Sequence, residues 1–253
     1  MSHFQMPVAD YMSAPLIAIG ESETLDDADR LLHDKGITAA AVMAPDGSIA
    51  GVISRTDLLR AGEIESGEAL RLPQQRVGEV MTAPALTVDS ADPLSTAAKL
   101  MHKKRIHRVF VTRGGEPVGV LSTRDLLRVI CEVDLRTPIG EIASKGIIRV
   151  NAEDPVALAV DRLEVANKHG LVVVQGEWPV GTFGQGDALL ARAVEPRLPV
   201  EKVMNLRIVA LPPTMPISRA GAQALALGAR RILVVGHGIE GIVSGLDFAR
   251  LAA

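Results

Sequence analysis

Gly51-Val52-Ile53-Ser54-Arg55-Thr56-Asp57-Leu58-Leu59 returns later in the chain as Gly119-Val120-Leu121-Ser122-Thr123-Arg124-Asp125-Leu126-Leu127. It returns again, in weaker form, as Gly181-Thr182-Phe183-Gly184-Gln185-Gly186-Asp187-Ala188-Leu189 and as Gly241-Ile242-Val243-Ser244-Gly245-Leu246-Asp247-Phe248-Ala249. The aspartates of these signatures stand 68, 62 and 60 residues apart. A second anchor precedes each signature: Tyr11-Met12-Ser13-Ala14-Pro15, Val80-Met81-Thr82-Ala83-Pro84, Glu141-Ile142-Ala143-Ser144 and Val203-Met204-Asn205-Leu206. Two anchors that recur four times in one order mark an internal repeat.

Between the anchors the local pattern also recurs. Each opening leads into a short apolar strand, such as Leu16-Ile17-Ala18-Ile19 or Ala85-Leu86-Thr87-Val88. Asp92-Pro93 and Asp154-Pro155 place an N-cap acid before a proline at the first helical position. Leu94, Ala97, Ala98 and Met101 follow at helical spacing. Next come strands such as Val109-Phe110-Val111, Leu171-Val172-Val173-Val174 and Ile232-Leu233-Val234-Val235. Glycine turns follow at Asp46-Gly47, Gly114-Gly115 and Gly236-His237-Gly238. A second strand then ends at the signature, where a second helix begins. The order is β-α-β-β-α, four times, an α/β (α+β) fold.

Composition narrows the functions open to such a chain. Its 253 residues carry 27 basic and 30 acidic side chains, a net charge of −3, which gives no broad basic surface for nucleic acid. One Trp, one Tyr and four Phe are too few for stacking platforms along a single strand. The lone cysteine, Cys131, excludes an internal disulfide framework and a Cys-rich zinc cluster; it fits a reducing cytoplasm and reads as a packing residue. No apolar run reaches the roughly 18 residues a membrane span needs, and Met1–Asp10 has no signal-peptide pattern. His3, His33, His102, His107, His169 and His237 form no metal-ligand set. Gly236-His237-Gly238-Ile239-Glu240-Gly241 matches Gly-x-Gly-x-x-Gly in letters only, because it lies between two strands and not between a strand and a helix. Neither a P-loop nor a Gly-x-Ser-x-Gly elbow occurs, so the expectation is a protein that is not an enzyme.

The signature itself admits two readings. Ser54 with Asp57, Ser122 with Asp125, and Ser244 with Asp247 are helix capping boxes, in which the hydroxyl and the acid satisfy orphan N–H groups. The same geometry suits a ligand. A helix start receives phosphate, and a carboxylate accepts hydrogen bonds from paired hydroxyls. Spacing alone leaves both open.

From about Pro7 to Ala253 these residues resemble cystathionine-β-synthase (CBS) domains, four in tandem. The resemblance is carried by the first, second and fourth signatures and by the Met-Ser/Thr-x-Pro openings of the first two repeats. It implies domains at 7–62, 77–130, 138–194 and 199–253. These would pair into modules 7–130 and 138–253, linked by Cys131 to Thr137 and packed as a disc. It also implies adenosine-type ligands (AMP, ADP or ATP) in clefts between paired domains, with the signature aspartates on ribose. A basic residue before the central strand would contact phosphate, which singles out His107-Arg108 and Arg231 of Arg230-Arg231. Thr38-Ala39 and His169-Gly170 occupy that place in the first and third repeats, and Gly184 replaces the signature serine in the third. Repeats 2 and 4 are therefore expected to be best equipped, and repeat 3 degenerate although Asp187 remains. Leu16, Ile17, Ile37, Leu86, Ile106 and Ile232 are expected against adenine. The implied function is a cytoplasmic regulatory protein signalling to a separate protein partner, as a monomer with its modules paired or as a homodimer. A ligand-free scaffold and S-adenosylmethionine binding are the alternatives.

Overall fold

The computed structural model describes residues 3–62, 72–165, 170–191 and 194–253. Repeat 1 runs β1 (Ala18–Gly20), α1 (Leu25–Asp34), β2 (Ala39–Met43), β3 (Ile49–Ser54), α2 (Arg55–Ala61). After a short α3 (Val77–Val80), repeat 2 runs β4 (Thr87–Asp89), α4 (Leu94–Lys104), β5 (Arg108–Arg113), β6 (Glu116–Ser122), α5 (Thr123–Glu132). After α6 (Ile139–Ile142), repeat 3 runs β7 (Arg149–Asn151), α7 (Val156–Val165), β8 (Gly170–Gln175), β9 (Trp178–Gly184), α8 (Gln185–Ala191). Repeat 4 runs β10 (Val209–Leu211), α9 (Ile217–Leu227), β11 (Arg231–Val235), β12 (Ile239–Ser244), α10 (Gly245–Ala252). In every repeat the first strand pairs parallel with the second, and the second antiparallel with the third.

The central strands read as unbroken apolar runs because both of their faces are buried. Leu171 and Val173 of β8 join the core under their own helices, whereas Val172 and Val174 meet Leu233 of β11 and Ile239 of β12. Side chains alternate along a strand, so one run serves two cores. The helix start expected at Asp92-Pro93 lies one residue later. Pro93, extended at φ −68° and ψ 148°, is the N-cap, and Asp92 instead accepts the Asp89 N–H at 2.9 Å to close the preceding turn. Pro155 likewise precedes α7, and Asp154 accepts the Asn151 N–H at 2.9 Å.

The openings do not dock on the repeats they introduce. Ser13 bridges to Val120 and Thr82 to Val52, so the openings of repeats 1 and 2 are exchanged. Ser144 bridges to Ile242 and Asn205 to Thr182, which exchanges those of repeats 3 and 4. The signature glycine makes room for this crossing. A Cβ on Gly51 would lie 2.6 Å from Met81 Sδ and 2.9 Å from the Thr82 carbonyl oxygen. On Gly119 it would lie 2.7 Å from the Ser13 carbonyl oxygen, and on Gly181 2.6 Å from Met204 Sδ. The two sequence anchors recur together because they touch each other across each pair.

The two pairs close into a ring. Helices α4 and α5 of repeat 2 pack on α9 and α10 of repeat 4, and a single core holds Leu94, Leu126, Ile130, Ile217, Val243 and Phe248. Gly221 lets α9 approach α5, since a Cβ there would lie 2.5 Å from Leu127 Cδ1 and 2.9 Å from Cys131 Sγ. Across the ring α2 faces α8, but repeats 1 and 3 keep separate cores. The connection between modules is fastened to α9: the Ile217 N–H donates to the Thr137 carbonyl at 2.9 Å and the Ser218 N–H to that of Leu135 at 3.1 Å. Cys131, expected to begin that connection, belongs to the last turn of α5.

Candidate functional site

Each signature aspartate sits at the third position of its helix, where its carboxylate reaches back to the N-cap backbone. Asp57 Oδ2 accepts the Ser54 N–H at 2.8 Å, Asp125 Oδ2 that of Ser122 at 2.8 Å, and Asp247 Oδ2 that of Ser244 at 2.8 Å. The three serine hydroxyls close full capping boxes. Gly184 gives Asp187 the N–H at 2.8 Å but has no hydroxyl to add. Burial pushes the Asp187 carboxyl above the ordinary carboxylate range, against the opposing pull of that N–H and of Arg231 and Arg230.

The second oxygen of each carboxylate separates the sites. Asp57 Oδ1 accepts from Thr82 Oγ1 at 3.1 Å and Asp247 Oδ1 from Ser144 Oγ at 2.9 Å. Thr82 and Ser144 belong to exchanged openings and complete the clefts from the partner repeat. Their signal in the sequence is the hydroxyl residue that recurs at Ser13, Thr82 and Ser144. Asp125 Oδ1 is taken by Arg128 at 2.5 Å, and Asp247 Oδ1 lies 3.6 Å from Arg250, both one turn further along their own helices. Arg250 also donates to the Ile142 carbonyl.

The arginines expected to serve repeats 2 and 4 point into repeats 1 and 3. Arg108 donates from Nη2 to Thr38 Oγ1 at 2.7 Å and from Nη1 to the Ala39 carbonyl at 3.3 Å. Burial lowers its guanidinium, Arg230 lowers it further, and Asp57 opposes both. Arg231 lies over Gly170, where any side chain would run into its guanidinium, and Asp187 is the acid that acts on it. The grouping by repeat is therefore corrected by the fold: Arg108 stands with Asp57, and Arg231 with Asp187. Thr38-Ala39 and Gly170 are small because an arginine from the paired repeat occupies that space. His169 lies outside the described residues. His107 turns to the seam between the modules, its Nδ1 within 2.9 Å of where a Cβ on Gly245 would stand.

The expected apolar lining is corrected at one position. Ile232 is fully buried in the core shared by repeats 2 and 4 and has no surface to offer a ligand, whereas Leu16, Ile17, Ile37, Leu86 and Ile106 are half-buried. Gly236 and Gly238 form the tight turn between β11 and β12, joined by a 3.0 Å hydrogen bond from the Gly236 N–H to the Gly238 carbonyl. Cys131 donates from Sγ to the Ser218 carbonyl at 3.3 Å, and burial, reinforced by Glu132, raises its thiol. No helix among the described residues is long and apolar enough to cross a membrane.

The CBS domain family model matches residues 8–63 and 77–132, which are repeats 1 and 2. Repeats 1 and 2 are CBS domains. Repeats 3 and 4 share the CBS architecture strand for strand. Protein MJ1225 from Methanocaldococcus jannaschii, described as a candidate archaeal homologue of AMPK γ, superposes with a TM-score of 0.83 at 13% identity, over 98% of this chain and 100% of that one. An uncharacterized conserved protein from Pyrococcus horikoshii gives a TM-score of 0.73 at 21% identity, with the same coverage of both chains. At these identities the likeness is one of fold. Among curated proteins, an uncharacterized 33.4 kDa protein in the ribosomal RNA operon of Thermofilum pendens is 26% identical over 176 residues, 63% of this chain and 55% of that one. A homoserine O-acetyltransferase of Methanohalobium evestigatum is 24% identical over 126 residues, 49% of this chain and 24% of that one. The chain thus spans about half, or less, of the length of these curated relatives.

Proposed function

We propose that this chain is a regulatory protein that binds adenine nucleotides in the clefts of its paired CBS domains and passes the signal to a separate protein partner. One observation carries the reading: a half-buried guanidinium crosses each pair to stand by the signature acid of the other repeat, Arg108 by Asp57 and Arg231 by Asp187. A carboxylate beside a permanently charged fork is matched to a ribose carrying a phosphate. The same arginines disfavour S-adenosylmethionine, whose sulfonium adds positive charge. The reading assigns no reaction, and it places the protein in a reducing cytoplasm on the strength of its single cysteine. Regulation follows from linkage: a nucleotide touching both members of a pair favours the packing in which both contacts are made, by as much as its affinities for the two packings differ.

The test is thermal unfolding of ligand-stripped protein with AMP, ADP, ATP or S-adenosylmethionine. A nucleotide at about 100 times its Kd adds about 2.7 kcal/mol, a rise of roughly 5–10 °C for a chain of this size. The rise should shrink in Asp57→Ala or in Arg108→Gln, and vanish when Arg231→Gln is added to Arg108→Gln. No rise with any nucleotide defeats the reading. A second reading, a ligand-free scaffold, has its own support, since three of the four signature aspartates sit in completed capping boxes.

A further inference from the structure

The four signature acids differ in what stands one turn further along their own helices. That position holds Arg60, Arg128, Leu190 and Arg250 in repeats 1 to 4. Arg128 brings Nη1 to 2.5 Å from Asp125 Oδ1. Arg250 lies 3.6 Å from Asp247 Oδ1 and also donates to the carbonyl of Ile142, in the exchanged opening of repeat 3. It therefore reaches from one wall of its cleft to the other. Arg60 has the same spacing from Asp57 but is exposed, and it is Thr82 that holds Asp57 Oδ1, at 3.1 Å. Leu190 cannot pair with an acid.

The cleft arginines follow the same division. Arg108, Arg231, Ala39 and Gly170 hold one equivalent position, since each pairs with the last residue of the neighbouring strand: Ser122, Ser244, Ser54 and Gly184. From there Arg108 crosses toward Asp57 and Arg231 toward Asp187. Ala39 and Gly170 have no charge to send back toward Asp125 and Asp247. Each pair thus holds one acid served by an arginine from across the pair and one faced by an arginine of its own helix. The two kinds act in opposite ways. An arginine from across the pair can hold phosphate and leave the acid to ribose. An arginine on the acid's own helix is a charged donor at the oxygen that ribose hydroxyls would use, and it outcompetes neutral hydroxyls there. Asp247 Oδ1 faces Ser144 Oγ at 2.9 Å as well.

We propose that Arg128 and Arg250 are latches that cover the acids of repeats 2 and 4, so that each pair takes its nucleotide tightly at one cleft only, that of Asp57 with Arg108 and that of Asp187 with Arg231. On the nucleotide reading, on which this rests, the latches set two tight sites per chain. Both guanidiniums are half in solvent, so they can swing aside. They order the filling of the clefts and do not abolish two of them.

The experiment is amide NMR of the full, ligand-stripped chain, titrated with AMP and with adenosine, which has the ribose but no phosphate. AMP is expected to shift the Asp57 and Asp187 amides well before those of Asp125 and Asp247. In the double variant Arg128→Gln, Arg250→Gln, the Asp125 and Asp247 clefts should gain about fivefold in affinity for adenosine, while the other two keep theirs. Adding Asp125→Asn should cancel the gain in repeat 2 alone, which separates a freed acid from a loosened helix. Arg60→Gln, the same charge loss one turn past Asp57, should leave all four clefts as in the native protein. Four amides that answer AMP together in the native protein, or no gain at Asp125 and Asp247 beyond that in Arg60→Gln, overturn the latches and leave the nucleotide reading standing. Adenosine binding at Asp125 and Asp247 in the double variant, with no ligand bound by the native protein, keeps the latches and sinks the nucleotide reading. No response to either compound in any of these proteins overturns both.

Discussion

An aspartate at the third position of a short helix serves the fold before it serves any ligand. Asp125 is buried and accepts from the Ser122 backbone, the Ser122 hydroxyl and Arg128. Asp125→Ala removes the box and strands those donors, so it should cost about 1–2 kcal/mol, read as a lower urea midpoint at unchanged m-value. Arg128→Gln should cost less than about 1 kcal/mol, because the guanidinium is half in solvent. Asp187 behaves in the opposite sense. Its folded-state carboxyl is raised above 3.8, so the native state holds that proton more tightly than the unfolded chain does. This group's favourable contribution is complete below 3.8 and is lost as pH rises through the folded value. Asp187→Asn should therefore be more stable than the native protein at pH 7, the gap closing as pH falls toward 3.8. Melting curves of the two proteins against pH would show it; a gap that does not change with pH would refute the assignment.

At the scale of elements, the exchanged openings decide what the signature glycines tolerate. In Gly119→Ala the new methyl meets the Ser13 carbonyl oxygen at 2.7 Å, backbone that is itself hydrogen-bonded to Val120. Relieving that overlap should cost about 1–3 kcal/mol. Gly186, in the first turn of α8, has nothing within 4 Å of such a methyl. Gly186→Ala should be neutral or gain up to about 1 kcal/mol through helix propensity and a more restricted unfolded chain. Chemical denaturation of the two variants compares them directly; equal effects would mean that the crossing does not constrain the glycine.

For the whole molecule, the shared core makes repeats 2 and 4 one cooperative unit although they lie in different modules. Ile130, fully buried, stands in that core with residues of both repeats. Ile130→Ala should cost about 2–5 kcal/mol and lower amide-exchange protection in α4, α5, α9 and α10 together, while β2 and β8 change least. Exchange that weakens by module, with repeats 1 and 2 falling together, would contradict it.

Much of this was legible in the chain. Four copies of two anchors gave the repeat, strand alternation gave the order β-α-β-β-α, and Ser-x-x-Asp marked the helix starts, because each of these depends on neighbours within a few residues. The Asp-Pro pattern does not reveal that Pro93 stays extended outside α4, because that follows from its bridge to Pro7, 86 positions earlier in the chain. Ile232 reads like lining in the sequence because a strand buried on both faces does not announce which face belongs to which core. The partnership of Arg108 with Asp57, and of Arg231 with Asp187, was not visible at all. A long side chain at the start of a strand can reach either member of a pair, and only the packed pair fixes which. The unit, its number and its local chemistry follow from short-range propensity and spacing, which the order of residues carries unaided. Which units exchange openings, which share a core and which acid each cleft arginine meets depend instead on contacts between residues tens of positions apart, and these exist only once the chain is packed.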